Sequence, residues 1–308
     1  MKPPAEPELG AWLTSLILAA FCASLALWVW IARRAIRRQP LIPWQPRRIV
    51  PWQAVDLLAI LVVHVFLAGV VVDADRILFP DVAAMAALPS GDAKPTTEHD
   101  ILVLLREERG PASLFICLLA AVVVAPVTEE VFFRLLLQGW LERVERSWRG
   151  LPWLGRGGMR GWAPVLGSAL AFAALHSRTA SLPPSPQVIL HALVCDTIVK
   201  LGTTGFALAW VRWRAGATWE DLGFPRGQLR RDLLLGLAAA LATIPWIYVL
   251  QWTLTQWLPE TLSPDPLTLT PFAMVLGLLY YRTHRIAPAI VLHMALNASS
   301  LALAWAVL

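Results

Sequence analysis

Apolar runs recur along the chain, separated by shorter polar segments. A run of about 20 residues is long enough to cross the hydrocarbon core of a bilayer as a helix. The pattern predicts spans near residues 9–31, 52–72, 112–141, 162–177, 187–211, 232–257, 271–281 and 286–307. The seventh is short, about 11 apolar residues, and suits a tilted or re-entrant segment as well as a crossing. The third is long, and Pro126 interrupts it, removing a backbone donor and favouring a kink. Between the second and third, residues 73–111 read as one long polar loop. It carries Asp73, Asp75, Asp81, Asp92, Glu98, Asp100, Glu107 and Glu108.

Composition supports this pattern. The chain has 57% hydrophobic and 15% charged residues, with a mean hydropathy of +0.59; soluble domains carry about 25% charged residues. The expected fold is all-α, a polytopic membrane bundle of about eight transmembrane helices forming a single membrane domain, residues 1–308. Tryptophans cluster near the predicted span ends (Trp12, Trp28, Trp30, Trp52, Trp140, Trp162, Trp210, Trp213), where interfacial belts form. The first apolar run is too long for a signal-peptide core and lacks a basic start, so it is read as a span. Cys22, Cys117 and Cys195 all fall in apolar spans, at spacings that fit neither a metal site nor a disulfide framework.

Charge then sets orientation. Arginines crowd alternate connections: Arg33, Arg34, Arg37 and Arg38; Arg143, Arg146, Arg149, Arg156 and Arg160; Arg212 to Arg231; Arg282 and Arg285. The connection after residue 257 has no lysine or arginine. By the positive-inside rule the basic connections face the cytoplasm and both termini lie outside it. The net charge of +5 is thus an orientation signal, and no nucleic-acid partner is expected. The Ala-, Arg-, Trp- and Pro-rich composition suggests a bacterial host, which makes this a multi-pass inner-membrane protein surrounded by lipid.

Three polar constellations interrupt the apolar spans. The first is Glu129-Glu130-x-x-x-Arg134. An ionisable group at mid-membrane costs at least about 2.5 kcal/mol and marks a candidate functional site. Glu130 and Arg134 are four apart on a helix and can pair. Glu129 points about 100° away, free to act as a general base. The bland reading is an ion-pair cluster that locks helix packing, which leaves the second glutamate unexplained. The second constellation is Phe172-x-x-x-His176 and the third His293-x-x-x-Asn297, each pair sharing a helix face. Asn297 can orient His293, donate a hydrogen bond of its own, or simply make an interhelical contact. Measured from Trp140, Trp162 and Arg285 at 1.5 Å per residue, Glu129, His176 and His293 lie about 17, 21 and 12 Å deep. Three helices therefore place costly polar residues in one layer. His64, His191 and the Asp196–Lys200 pair are read as structural.

These motifs, in this order on membrane helices, resemble those of the CPBP family. That group of intramembrane proteases, also called the Abi family, is named for CAAX and bacteriocin processing and includes the Ras-converting CAAX endopeptidase. The segment Leu276-Gly277-Leu278-Leu279-Tyr280-Tyr281-Arg282-Thr283, then Pro288 and His293, is similar to the context of the family's third motif. The motif-bearing stretches are residues 112–177 and 265–300. Residues 187–260, by contrast, look like a two-span block in an unusual position, because Gly216 to Phe224 is similar to what precedes the Glu-Glu motif in relatives.

The resemblance implies an intramembrane endopeptidase acting on a peptide or membrane protein, with its site toward the cytoplasmic side. By that resemblance Glu129 activates water, with support from Glu130 and Arg134. His176 faces the water or the oxyanion, and His293 and Asn297 bind the tetrahedral oxygen. No cofactor is required by this reading, although zinc held by Glu129, His176 and His293 is an alternative. The His-Glu-x-x-His signature is absent. Two other functions stay open: a non-catalytic scaffold or immunity protein, and a small-solute transporter using Glu129, Asp196 and Lys200.

Overall fold

The element that places the site is one continuous helix of 37 residues, Pro111–Ser147. Gly110 precedes it, and Pro111 takes its first turn, where a missing N–H is harmless. Two stretches of this helix, Leu118–Val124 and Val131–Gln138, wind in π register, with the α-helical turn Ala125–Glu130 between them. A π turn shifts each hydrogen bond by one residue and leaves carbonyls available to other elements. Side chains elsewhere in the fold bond three carbonyls of these stretches. Trp52 Nε1 donates to the carbonyl of Leu136 at 3.1 Å, Ser168 Oγ to that of Phe133 at 2.8 Å, and Asn297 Nδ2 to that of Ala121 at 2.7 Å.

The computed structural model describes residues 6–45, 48–86, 99–147, 161–178, 180–259 and 262–307. Asp92, Glu98, Arg149, Arg156 and Arg160 lie outside the described residues. In chain order the helices are α1 (Glu6–Ile36), α2 (Ala54–Leu78), α3 (Pro80–Ala86), α4 (Asp100–Glu107), α5 (Pro111–Ser147), α6 (Trp162–Leu175), α7 (Pro186–Arg214), α8 (Leu229–Trp257), α9 (Asp265–Thr283) and α10 (Ala287–Val307). The fold is an all-α bundle, as the apolar pattern requires. Six helices (α1, α2, α5, α7, α8 and α10) are long and apolar enough to cross a membrane. The 14-residue α6 and the 19-residue α9 complete the eight predicted.

Two expectations change. The short seventh span is α9, a packed helix that starts at Asp265, six residues earlier than predicted. Polar residues in its first turns disguise it, because threonines satisfy their hydroxyls on carbonyls of the preceding turn, as Thr268 and Thr270 do. The described parts of the long acidic loop are also largely helical. α2 runs on to Leu78, α3 follows, and α4 buries Ile101, Val103, Leu104 and Leu105 against Cys117, Ile189 and Leu301. Its acidic residues conceal a short amphipathic helix whose apolar side faces the bundle.

The most extensive packing joins α8 to α10, α6 to α9 and α2 to α7. Small residues permit it, as expected between membrane helices. At Gly236 an added Cβ would lie 2.6 Å from Val291 Cβ and 2.8 Å from the Pro288 carbonyl. At Gly277 it would lie 2.9 Å from Gln138 Oε1 and 3.1 Å from Val165 Cγ1. α1 docks on α8 through two indole bonds, Trp28 Nε1 to the Ala242 carbonyl and Trp246 Nε1 to Ser24.

The arginine-rich connections gather at one end of the bundle and brace it. Arg143 donates to the carbonyls of Val50, Pro51 and Trp52. Arg214 and Trp210 hold the buried Asp56, and Arg285 pairs with Asp232 at 2.8 Å, both buried.

Candidate active site

Each of the three polar constellations arrives on its own helix, and the three meet. Glu129 and Glu130 end the α-helical turn between the two π stretches of α5. Glu130 and Arg134 are fully buried, with Arg134 Nε 3.2 Å from Glu130 Oε2. Their geometry gives a close ion pair without an aligned hydrogen bond at that oxygen. Arg134 is secured instead through Nη1, which donates to Ser168 Oγ at 2.8 Å. Ser168, Phe172 and His176 are spaced by four and form one stripe along α6.

His176 is the C-cap of α6. Its Nδ1 lies 2.8 Å from the Phe172 carbonyl, one of the acceptors that a helix end leaves free. A carbonyl only accepts, so Nδ1 carries the proton and donates. Nε2 is left facing the site, 3.7 Å from Glu129 Oε2. His293 on α10 repeats the arrangement. Its Nδ1 meets Glu130 Oε1 at 2.9 Å, and its Nε2 stands 3.8 Å from the same Glu129 oxygen. Two imidazole Nε2 atoms thus converge on one carboxylate oxygen. Both separations exceed direct hydrogen-bond range and suit a small bridging group.

Aromatic rings set these positions. Phe172, fully buried, lies 4.4 Å from the His176 ring in a tilted stack and 5.6 Å from the His293 ring edge-on. The Arg134 guanidinium sits over its remaining face at 5.2 Å. Phe272 of α9 closes the far side of His293 at 5.6 Å. The site is buried along its Glu130–Arg134 wall and open at Glu129 and His176, whose side chains are 18% and 26% exposed.

The electrostatic sum is simple. Two carboxylates and one guanidinium carry one net negative charge at the cluster's core. Arg134 and His293 both contact Glu130, which leaves Glu129 facing the two ring nitrogens. No charged group of the Asp196–Lys200 pair enters; those two side chains neutralise each other at 2.8 Å. His64 bonds Thr203. His191 has no charged partner on its own helix but finds Asp75 of α2 at 2.9 Å.

Of the six residues picked from the sequence, Glu129, Glu130, Arg134, His176 and His293 form one contiguous cluster. Asn297 stands one turn from His293 and donates to the Ala121 carbonyl. Ser168, which anchors Arg134, went unnoticed in the sequence; its only signal is its place four residues before Phe172. Thr128 and Thr204 also bond each other across α5 and α7, beside Glu129. Glu129, His176 and His293 offer donor types that bind zinc. As positioned, however, no three His, Cys, Asp or Glu side chains among the described residues form a group that could hold a metal ion.

Comparison with known proteins places the architecture. Residues 111–220 and 226–299, more than half of the chain, match the type II CAAX prenyl endopeptidase Rce1-like family. The match spans α5 to α10 and all three polar constellations. No curated protein and no solved structure matches the chain significantly. With its three motifs on three packed membrane helices and this match across them, the chain belongs to the type II CAAX prenyl endopeptidase Rce1-like family.

Proposed function

We propose that the protein is an intramembrane endopeptidase in which Glu129 activates the attacking water. The observation that carries this reading is the convergence of His176 Nε2 and His293 Nε2 on one oxygen of Glu129, at 3.7 and 3.8 Å. A water in that gap is within reach of all three atoms. Glu129 takes its proton as the oxygen attacks the scissile carbonyl, which is general-base catalysis. Carbonyl carbon gains the new C–O bond, and its oxygen becomes an oxyanion. His293, protonated and with its charge balanced by Glu130, offers Nε2–H to that oxygen. His176 takes up and returns a proton as the tetrahedral intermediate collapses. The proton reaches the departing amine nitrogen, and the C–N bond breaks.

Glu130 acts on His293 as the buried carboxylate of a catalytic triad acts on its histidine, fixing the tautomer and orienting the ring. Arg134 pairs with Glu130, and Ser168 holds Arg134 in place. The proposed substrate is a peptide bond in a peptide or protein held by the bilayer. The proposed setting is a bacterial inner membrane with the arginine-rich end in the cytoplasm.

Purified wild type and Glu129→Gln, reconstituted in lipid vesicles, are compared on lipid-modified and unmodified membrane peptides, with products identified by mass spectrometry. Cleavage by the wild type and a loss of about 10²- to 10⁴-fold in the variant is the expected result. Equal cleavage by both removes Glu129 from the reaction. A parallel arm adds a chelator. Activity lost there and restored by zinc would replace the water held by three side chains with a metal centre.

A further inference from the structure

Several arginines at the arginine-rich end are committed to the protein itself. Arg48, Arg214 and Arg285 pair with carboxylates, and Arg143 holds three carbonyls. Others are not. Arg33, Arg34, Arg37 and Arg38 at the end of α1, and Arg230 and Arg231 at the start of α8, have no carboxylate partner among the described residues. All but Arg34 are exposed. Arg34 lays its guanidinium over Trp30 at 4.9 Å, and its buried Nε has no hydrogen-bond partner.

These two groups of arginines share one level of one seam. α1 and α8 run antiparallel, with Trp28 bonded to the Ala242 carbonyl and Trp246 to Ser24. Continuing that register places Arg37 and Arg38 level with Leu233 and Asp232. Asp232 does not offset them, because Arg285 already pairs with it. α1 ends in a Schellman turn, in which the Gln39 N–H donates to the Arg34 carbonyl and the Arg38 N–H to that of Ala35, each at 2.9 Å. The turn holds Arg38 at φ 55°, a left-handed position that favours glycine. The chain keeps a charged side chain there despite that backbone strain.

Deeper in the bilayer the same seam is hollow. A cavity of about 420 Å³ opens between α1, α8 and α9, lined in part by Trp28, Ala242, Trp246, Leu250, Pro271 and Val275. Both indole N–H groups are already bonded, so the rings offer hydrocarbon contact. Ala242 lies about 20 Å along α8 from Leu229, about half the full thickness of a bilayer. Guanidinium forks match phosphate oxygens, and basic residues beside membrane helices attract anionic headgroups. A phospholipid carries both a phosphate and a chain that reaches this depth.

We propose that the α1–α8 seam binds an anionic phospholipid, with its phosphate among these arginines and one acyl chain in the cavity below them. The site is distinct from the Glu129 cluster and does not depend on the protease reading.

The test uses the full chain, purified in detergent and stripped of lipid. It is titrated with phosphatidylglycerol or with phosphatidylcholine of the same acyl chains. Native mass spectrometry counts bound lipid, and thermal unfolding follows stabilisation. Phosphatidylglycerol is expected to bind about tenfold more tightly and to raise Tm by several degrees. Inorganic phosphate at the same concentration is expected to do neither. Arg37→Gln and Arg230→Gln should each weaken phosphatidylglycerol binding about fivefold, the scale of one basic residue near an anionic surface. Arg212→Gln, at the same end but on α7, should leave it unchanged. Ala242→Leu fills the cavity and should weaken long-chain phosphatidylglycerol while sparing a dihexanoyl form; Val275→Leu replaces it if that variant does not fold. Equal affinity for the two lipids overturns the proposal, because lipid then binds without regard to charge. So does equal loss in the Arg37 and Arg212 variants, which reduces the effect to general surface charge. Stabilisation by phosphate alone makes it an ion site, and undiminished long-chain binding with the cavity filled removes the acyl chain; either result also overturns it.

Discussion

At the scale of single residues the site depends on keeping charge buried without leaving it unpaired. Arg134 and Glu130 are both fully buried, and removing one partner of such a pair is far worse than removing both. Ser168 bridges Arg134 Nη1 and the Phe133 carbonyl, so its hydroxyl serves two buried groups at once. Ser168→Ala is expected to destabilise the protein by about 2 kcal/mol, the range for a lost bond to a charged group. Cleavage should fall with it, because Glu130 and His293 lose a fixed neighbour. Equilibrium unfolding in mixed micelles measures the first effect. A loss under about 0.5 kcal/mol would show that Arg134 does not depend on this hydroxyl. The glutamates, the arginine and the histidines were legible in the sequence because each is expensive in hydrocarbon. Ser168 was not, because a serine in a membrane helix satisfies itself on its own backbone at little cost.

At the scale of elements the decisive feature is the pair of π stretches in α5. Each releases carbonyls, and each is tied by a side chain from elsewhere: Asn297 of α10, Ser168 of α6, and Trp52 of the α1–α2 connection. Nothing in the local sequence specifies a π register over an α register, since the two differ by one residue in hydrogen-bond reach. Only Pro126 left a local trace, read as a kink. Helix contact is the second requirement. Gly236 of α8 lets α10 approach until Val291 and Pro288 nearly touch the α8 backbone. Gly236→Ala should force the two apart and destabilise by about 1–3 kcal/mol, the range for overpacking. Leu237→Ala, on the exposed side of the same helix, should stay within about 0.5 kcal/mol. The activity of Gly236→Ala should drop as well, because His293 lies two residues beyond Val291. Equal stability of the two variants would show that α10 accommodates the methyl group without moving.

At the scale of the molecule, helix ends and charge make one orientation. The α1–α2, α7–α8 and α9–α10 connections and the helix ends beside them brace one another at the arginine-rich end through Arg48–Glu220, Asp56–Arg214 and Asp232–Arg285. His176 caps the end of α6 that points away from them. In a cysteine-free background, Ser177→Cys is expected to react with a membrane-impermeant thiol reagent applied outside intact cells. Trp213→Cys, at an exposed position near the arginine-rich end, should react only after permeabilisation. The reverse pattern would invert the topology and put the arginine-rich end outside.

What the sequence determined alone was the solvent and the chemistry. A bilayer imposes helices on apolar runs of span length, and it makes every intramembrane charge conspicuous, so the all-α bundle and the Glu129, Glu130, Arg134, His176 and His293 cluster could be read from residue types and spacing. What only the tertiary structure decided was how those groups face one another. The Asn297 amide meets the Ala121 carbonyl, a partner 176 residues away in sequence. The shared focus of two Nε2 atoms on Glu129 depends on Nδ1 partners contributed by a helix end and by a second glutamate. Amphipathic spacing assigns a face to a helix, but neither the hydrogen-bond register of a broken helix nor the partner of a freed carbonyl is a local property of the chain.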